Sequence, residues 1–244
     1  MVIKQYKVTN FITCTNKRID LTFDCLDSLK NTDIKDKNCY LLVVCQGPMR
    51  DGDVNRIRGY DIVDDVIVYN DPRGISYNIN IATEVAKFNR SNYINYIQND
   101  MIVKDSKFVY TLIALWQDLI KRNVSVGCIS GYKYTIDSEY KKEYKITYKK
   151  ENFRGFPIHY RKHISAQNIF MSLVEWCKYF PIDYIDPTDG KMRGFPNDGR
   201  GSRIDWWMST DSPNSFEKRK KCVVCIDGLM EERGWSNSTW KDRK

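Results

Sequence analysis

The sequence predicts an α/β fold, a mostly parallel sheet with helices on both faces, followed by a smaller antiparallel portion. Three observations predict it. Runs of β-branched and aromatic residues alternate with amphipathic segments through residues 1–130, and such alternation builds a sheet wound by right-handed crossovers. The run from Tyr40 to Cys45 is apolar without interruption, as expected of a strand covered on both faces. Beyond residue 130, Tyr144, Ile146 and Tyr148 alternate with Lys145, Thr147 and Lys149, the period of a half-exposed antiparallel strand or hairpin.

Taken in order, Val8 to Thr13 has the composition of a first strand. A small polar turn with two cations follows, Cys14-Thr15-Asn16-Lys17-Arg18. Asp20 is placed to cap a helix whose Leu21, Cys25 and Leu29 share a face, with Leu26 beside them. The strand 40–45 stops at Gln46-Gly47-Pro48, where glycine and proline break regular structure. Residues 51–61 are polar and are assigned to a loop. Val63 to Tyr69 holds another strand, ended by Asn70-Asp71-Pro72-Arg73-Gly74, and Ile75, Ile79, Ala82 and Ala86 then mark one helical face.

Tyr93 to Ile97 forms the next strand and ends abruptly in Gln98-Asn99-Asp100. Ile102-Val103 follows, then an amphipathic helix with Val109, Leu112, Ile113, Trp116, Leu119 and Ile120 on its apolar side and Ser106 as its expected cap. Val124 to Ile129 completes this half as a strand. Later come a short helix at 173–179, a Gly-, Pro- and Asp-rich loop from Pro181 to Arg203, and Asp205-Trp206-Trp207. A Ser-Pro-Asn turn, the basic run Lys218 to Lys221 and a last strand at 222–226 complete the chain. With no internal repeat and no linker, residues 1–244 are expected to form a single domain with halves 1–130 and 131–244.

The formal net charge of +8 points to an anionic partner, and nucleotide-sugars, nucleic acid and anionic membrane surfaces all meet that description. No apolar run approaches the length of a membrane span, and the opening Met1-Val2-Ile3-Lys4-Gln5-Tyr6 is no signal peptide, so a cytoplasmic location is expected. In that reducing compartment the eight cysteines are expected to be small core residues rather than a disulfide framework.

The turns that end successive strands carry Thr15-Asn16, Gln46-Gly47, Arg73-Gly74 and Asp100, and a parallel sheet gathers them along one edge. Open α/β sheets bind ligands beyond the carboxyl ends of their strands, so Asp100 stands where a metal or a phosphate would lie.

Four places together resemble the GT-A glycosyltransferases, in particular the broad family-two group that uses nucleotide-sugar donors. Ile12-Thr13-Cys14-Thr15-Asn16-Lys17-Arg18, with Leu26-Asp27-Ser28-Leu29 after it, looks like that family's first strand, donor loop and helix. Gly74 followed by Asn80, Gln98-Asn99-Asp100, and Val126-Gly127 are similar to its helix entry, its acidic metal motif and its following strand. The resemblance implies a GT-A (Rossmann-like) fold and a metal-dependent, inverting hexosyl- or pentosyltransferase. The halves then become a nucleotide-sugar-binding half (1–130) and an acceptor-binding half (131–244).

By the same resemblance, Asp100 would hold Mn²⁺ or Mg²⁺, a hard ion that offsets charge on the leaving diphosphate. Thr13, Thr15, Asn16, Arg18, Gln46, Arg73, Gly74, Asn80 and Asn99 would surround the donor, expected to be a UDP-sugar. Gln46 stands where the family often has an aspartate, which leaves the base open. Glu232, in Glu232-Arg233-Gly234, stands where relatives often carry a late metal-ligating histidine. Asp205 is the expected general base, with Asp198 and Asp211 in reserve; such a base contributes on the order of 10²–10⁴-fold in rate.

The acceptor side is expected to use Trp206 and Trp207 for stacking and Lys149, Arg154 and Arg161 for charge. Cations among tyrosines at 141–163, with Lys218 to Lys221, suit a polyanion. Because some phage-encoded GT-A enzymes fit this description, hydroxymethylated pyrimidines in DNA are one expected acceptor class, reached by base flipping or from a single strand. Saccharide or protein hydroxyls are the alternatives. From another class stands a catalytically silent GT-A-like domain that binds nucleic acid.

Overall fold

A computed structural model describes residues 6–70, 74–132, 150–162, 164, 167–181, 204 and 207–233. Its first strand, β1 (Val8–Thr15), is buried along all but its last residue. That burial requires its polar side chains to find partners. Thr9 Oγ1 meets Ser91 Oγ at 2.8 Å, and Asn10 Oδ1 accepts from Asn95 Nδ2 at 2.9 Å.

β2 (Cys39–Gln46), β3 (Asp65–Tyr69) and β4 (Tyr93–Gln98) all run parallel to β1. Beyond them come β6 (Val126–Ser130), β7 (Lys150–Phe153), β8 (Phe156–Arg161), β9 (Asn168–Ser172) and β10 (Cys222–Ile226). The order across this sheet is β3-β2-β1-β4-β9-β6-β10-β8-β7. β9 and β8 run against their neighbours and the other strands share one direction. A small antiparallel sheet pairs β5 (Met101–Val103) with β11 (Met230–Glu232). The expected α/β class is thus observed, with a large, mostly parallel sheet.

The helices are α1 (Ile19–Leu29), α2 (Asp51–Arg58), α3 (Ile75–Phe88), α4 (Phe108–Lys121) and the single turn α5 (Leu173–Trp176). α2 corrects the loop expected at 51–61. Only Val54 and Ile57 of this short helix are buried, too few apolar positions to show a period. Asp20 is not the cap of α1 but lies in its first turn, where a carboxylate still favours the positive end of the helix dipole. Ser106 does not cap α4 either. Its first free amides, Val109 N and Tyr110 N, donate to the Asp33 carboxylate at 2.9 and 2.7 Å, so the cap comes from a distant turn.

Gly127 of β6 is required by packing: a Cβ there would lie 2.5 Å from the Phe216 ring. Cys14, Cys25, Cys45, Cys128 and Cys225 are buried as expected, whereas Cys177 is exposed. Residues 140–148, expected as a strand or hairpin, and most of the loop 181–203 lie outside the described residues. No helix among the described residues is long and apolar enough to cross a membrane.

Candidate functional site at the carboxyl edge of the sheet

The parallel register brings the strand ends into one row. Thr15 and Gln46 are direct partners across β1 and β2, and Asn16 Nδ2 donates to Pro48 O at 2.9 Å, tying the two following turns together. Thr13 is buried against the Tyr96 hydroxyl at 3.3 Å. The Oε1 of Gln46 is buried without a hydrogen-bond partner. Gly74 enters α3 with φ +84°, a left-handed backbone that favours glycine, and Asn80 lies on the buried side of that helix.

Asp100 follows β4 and is 3% exposed. One of its oxygens, Oδ2, is ion-paired with Arg18 Nη2. The other, Oδ1, is buried with no partner, as is Arg18 Nε. Asn99 Nδ2 points away from this space, donating to Arg18 O at 3.2 Å and Thr22 Oγ1 at 3.1 Å. These two bonds tie Asn99, an expected donor contact, to the Arg18 turn.

β11 brings Glu232 to the same place by pairing it with Met101, next to Asp100, and Arg233 N donates to Asp100 O at 2.7 Å. Tyr132 donates its hydroxyl to Glu232 Oε2 at 3.2 Å. Burial pushes the Asp100 carboxyl above the usual carboxylate range, and Arg18 only partly opposes this. Glu232 is pushed up in turn, first by burial and then by the negative charge of Asp100. Both carboxylates are thus desolvated, and the ion pair recorded for them is that of Asp100 with Arg18.

The donor set is of hard oxygens, and Asp100 Oδ1 is an acceptor without a hydrogen-bond partner. Both properties fit Mg²⁺ or Mn²⁺ better than a thiophilic ion. Among the described residues no group of three His, Cys, Asp or Glu side chains gathers around a common point. Asp100 and Glu232 are the two carboxylates that the β5–β11 pairing brings near one another here.

Other expected residues fall elsewhere. Arg161 is buried on β8 opposite Val223, near the start of β10, at the edge of the sheet opposite Asp100. Arg154 occupies the β7–β8 turn with its guanidinium stacked 4.4 Å over the Tyr110 ring of α4. Trp207 begins a short π-helical turn, Trp207–Asp211, and packs against the core. Asp205, Trp206, Arg73, Lys149 and the reserve Asp198 lie outside the described residues; of Asp211 only the backbone is described.

The basic run is also engaged within the protein. Arg219 and Lys221 pair with the buried Glu175 of α5, and Lys218 Nζ donates to Ser212 O at 3.0 Å.

Sequence reasoning missed Tyr132 and Asn168. Asn168 Oδ1 accepts from Gly131 N at 2.7 Å, and its Nδ2 donates to Asn95 Oδ1 and Tyr96 O at 2.9 and 2.7 Å. It thereby ties the end of β6 to β4. Ser130-Gly131-Tyr132 is a strand-ending turn like the four singled out above, and that same reasoning could have included it.

No protein-family model and no curated protein matches the chain. Among solved structures it is similar to a mannosyltransferase, PcManGT from Pyrobaculum calidifontis, in complex with GDP-Man and Mn²⁺. The identity is 18% and the TM-score 0.43, over 53% of this chain and 37% of that one. It is also similar to S. aureus TarS (1–349) in complex with UDP-GlcNAc, at 15% identity and TM-score 0.42, over 57% of this chain and 39% of that one. The matched region thus spans about two fifths of those chains. At such scores the likenesses carry no assignment.

Proposed function

We propose that the chain is a metal-dependent glycosyltransferase of GT-A type that moves a sugar from a nucleotide-sugar, a UDP-sugar first among them, to a hydroxyl acceptor. The observation that carries this reading is Asp100. It is a buried carboxylate beyond the end of β4, half neutralised by Arg18, with one oxygen unpartnered, in line with the Thr15 and Gln46 strand ends.

In this reading Thr15, Asn16, Arg18, Gln46, Arg73 and Asn80 bind the nucleotide-sugar. Asp100, with Glu232 beside it, holds Mn²⁺ or Mg²⁺; when bound, that ion offsets charge on the departing diphosphate. Tyr132 orients Glu232, and Asn99 holds the Arg18 turn in place. Asp205 takes the acceptor proton as general base, with Trp206 excluding water beside it.

Hydroxymethylated pyrimidine in DNA stays as one acceptor class, supported by the cation- and tyrosine-rich sequence at 141–163. Within the run 218–221, Arg219 and Lys221 are taken up by Glu175, so only part of it adds to that support.

The test is hydrolysis of common nucleotide-sugars with and without Mn²⁺, followed by mass spectrometry of hydroxymethylated DNA and of saccharide acceptors. We expect Mn²⁺-dependent donor turnover that falls at least about 100-fold in Asp100→Ala, the order of effect of a lost transition-state charge partner. Equal turnover in that variant would remove the metal assignment. In Asp205→Asn we expect retained donor binding and lost transfer; undiminished transfer would remove its role as base.

A further inference from the structure

Arg18 and Asp100 form an incomplete ion pair. Stable arginine–carboxylate pairs in proteins are commonly bidentate, with two parallel N–H···O bonds. Here a single nitrogen, Nη2, reaches a single oxygen, Oδ2, while Nε and Oδ1 are both buried and unpartnered. Arg219 and Glu175 provide the contrast within the same molecule, since Nη1 and Nη2 of Arg219 each take one carboxylate oxygen.

The exposure of the two partners also differs. Asp100 is 3% exposed and sits between β4 and β5, whereas the Arg18 side chain is 24% exposed. The backbone of Arg18 is held by Asn99 Nδ2 and Thr22 Oγ1, both donating to its carbonyl oxygen. Its anchor is therefore fixed while the guanidinium can swing to solvent on its flexible stem.

Charge gives the pair its direction. Asp100 and Glu232 with Arg18 leave the site net negative, so a cation is drawn in. A divalent ion seated on Asp100 would then meet the guanidinium at the same oxygen, and two cations cannot share it without strong repulsion. The displaced guanidinium remains at the end of β1, beside Thr15 and Asn16, where a diphosphate would present paired acceptors to its fork.

Resting on the reading above, we propose that Arg18 and the divalent ion are alternative occupants of the Asp100 carboxylate. Arg18 is the internal counter-ion of the metal-free protein, and it is released toward the diphosphate when the metal arrives. It is thus a positioning residue for the metal and a binding residue for the nucleotide, and the two roles oppose one another without nucleotide.

The test is Mn²⁺ binding to the full chain without nucleotide, by electron paramagnetic resonance of the free ion and by calorimetry. In Arg18→Met we expect Mn²⁺ to bind at least about tenfold more tightly than in the parent, the worth of one charge-assisted contact. UDP affinity measured with saturating Mn²⁺ should fall by a similar factor. A merely structural arginine would give the opposite result for the metal, because its removal would loosen the Asp100 site.

Arg18→Gln, which keeps a polar side chain on the turn, should shift Mn²⁺ affinity in the same direction and covers the case in which the methionine variant misfolds. Mn²⁺ affinity unchanged or weakened in a folded variant would overturn the exchange while leaving the glycosyltransferase reading intact. Absence of Mn²⁺ binding from the parent and both variants, with and without UDP, would overturn both.

Discussion

Among the described residues two buried carboxylates pair with arginine, at opposite edges of the same sheet, and their surroundings differ. Glu175, on α5, receives both forks of Arg219 together with Lys178 and Lys221. Burial alone would raise its pKa, but these three cations outweigh it and hold the carboxyl down at about 2. Asp100 receives one nitrogen of one arginine, keeps an oxygen without a partner, and stays above its ordinary value. A saturated carboxylate fastens α5 to the segment before β10, whereas the other keeps one oxygen without a hydrogen-bond partner. The two sites differ both in the cations they gather and in the carboxylate oxygens left unpaired.

This contrast can be broken most directly at the saturated site. Arg219→Met removes the bidentate partner and leaves Glu175 buried with two lysines, a loss expected to cost about 3 kcal/mol, as when one side of a buried pair is deleted. Urea unfolding measures it. A cost near zero would mean that Glu175 is no structural clasp and that the lysines suffice.

Acid adds a second test of nearly the same size. A carboxylate whose pKa is depressed by folding contributes stability that is fully present above its unfolded value of 4.5 and is lost as pH falls through the folded value of about 2. For Glu175 this amounts to about 3 kcal/mol. The parent should therefore lose more stability between pH 5 and pH 2 than Glu175→Gln does, in parallel urea or thermal melts. Coincident pH profiles would show that Glu175 is not held ionised by its neighbours.

How much of this was legible in the residues follows from which interactions are local. The strands at Val8, Tyr40, Val63, Tyr93 and Val124 could be read because each is a run of β-branched or aromatic residues closed by a breaker, and these place Thr15, Gln46 and Asp100 on one edge. β9 could not, since it enters the sheet between β4 and β6 and pairs Phe170 with Asn95, a pairing no local period encodes. Charge was visible but its employment was not. Lys218 to Lys221 read as a polyanion surface until Glu175, 44 residues before Arg219, claimed part of it. Glu232 was placed beside Asp100 only by resemblance, and the antiparallel β5–β11 pairing gives that placement a physical cause.

A half-buried carboxylate, Asp33, refines the comparison. Asp33 is satisfied neither by cations nor by a vacant coordination position but by backbone: Val109 N and Tyr110 N donate to its two oxygens at the start of α4. Burial raises its pKa, and these amides oppose the rise. Asp33→Ala removes a cap and is expected to cost about 1 kcal/mol, read as a lower urea midpoint at unchanged slope. A cost as large as that of Arg219→Met would place Asp33 with the structural clasps.

The smallest stability effect should come from Asp100. Asp100→Asn removes a charge that burial already disfavours, and the freed Arg18, a quarter exposed, can return to water. The two effects oppose one another, so stability should change by no more than about 1 kcal/mol, within the range of sites without a buried saturated network. Mn²⁺, which should raise the thermal midpoint of the parent in the presence of UDP, should leave this variant unmoved. Were Asp100→Asn to cost as much as Arg219→Met, both carboxylates would be structural, and the unpartnered oxygen of Asp100 would lose its meaning as a ligand. A stable variant blind to Mn²⁺ is the outcome that separates a carboxylate kept for binding from one kept for folding.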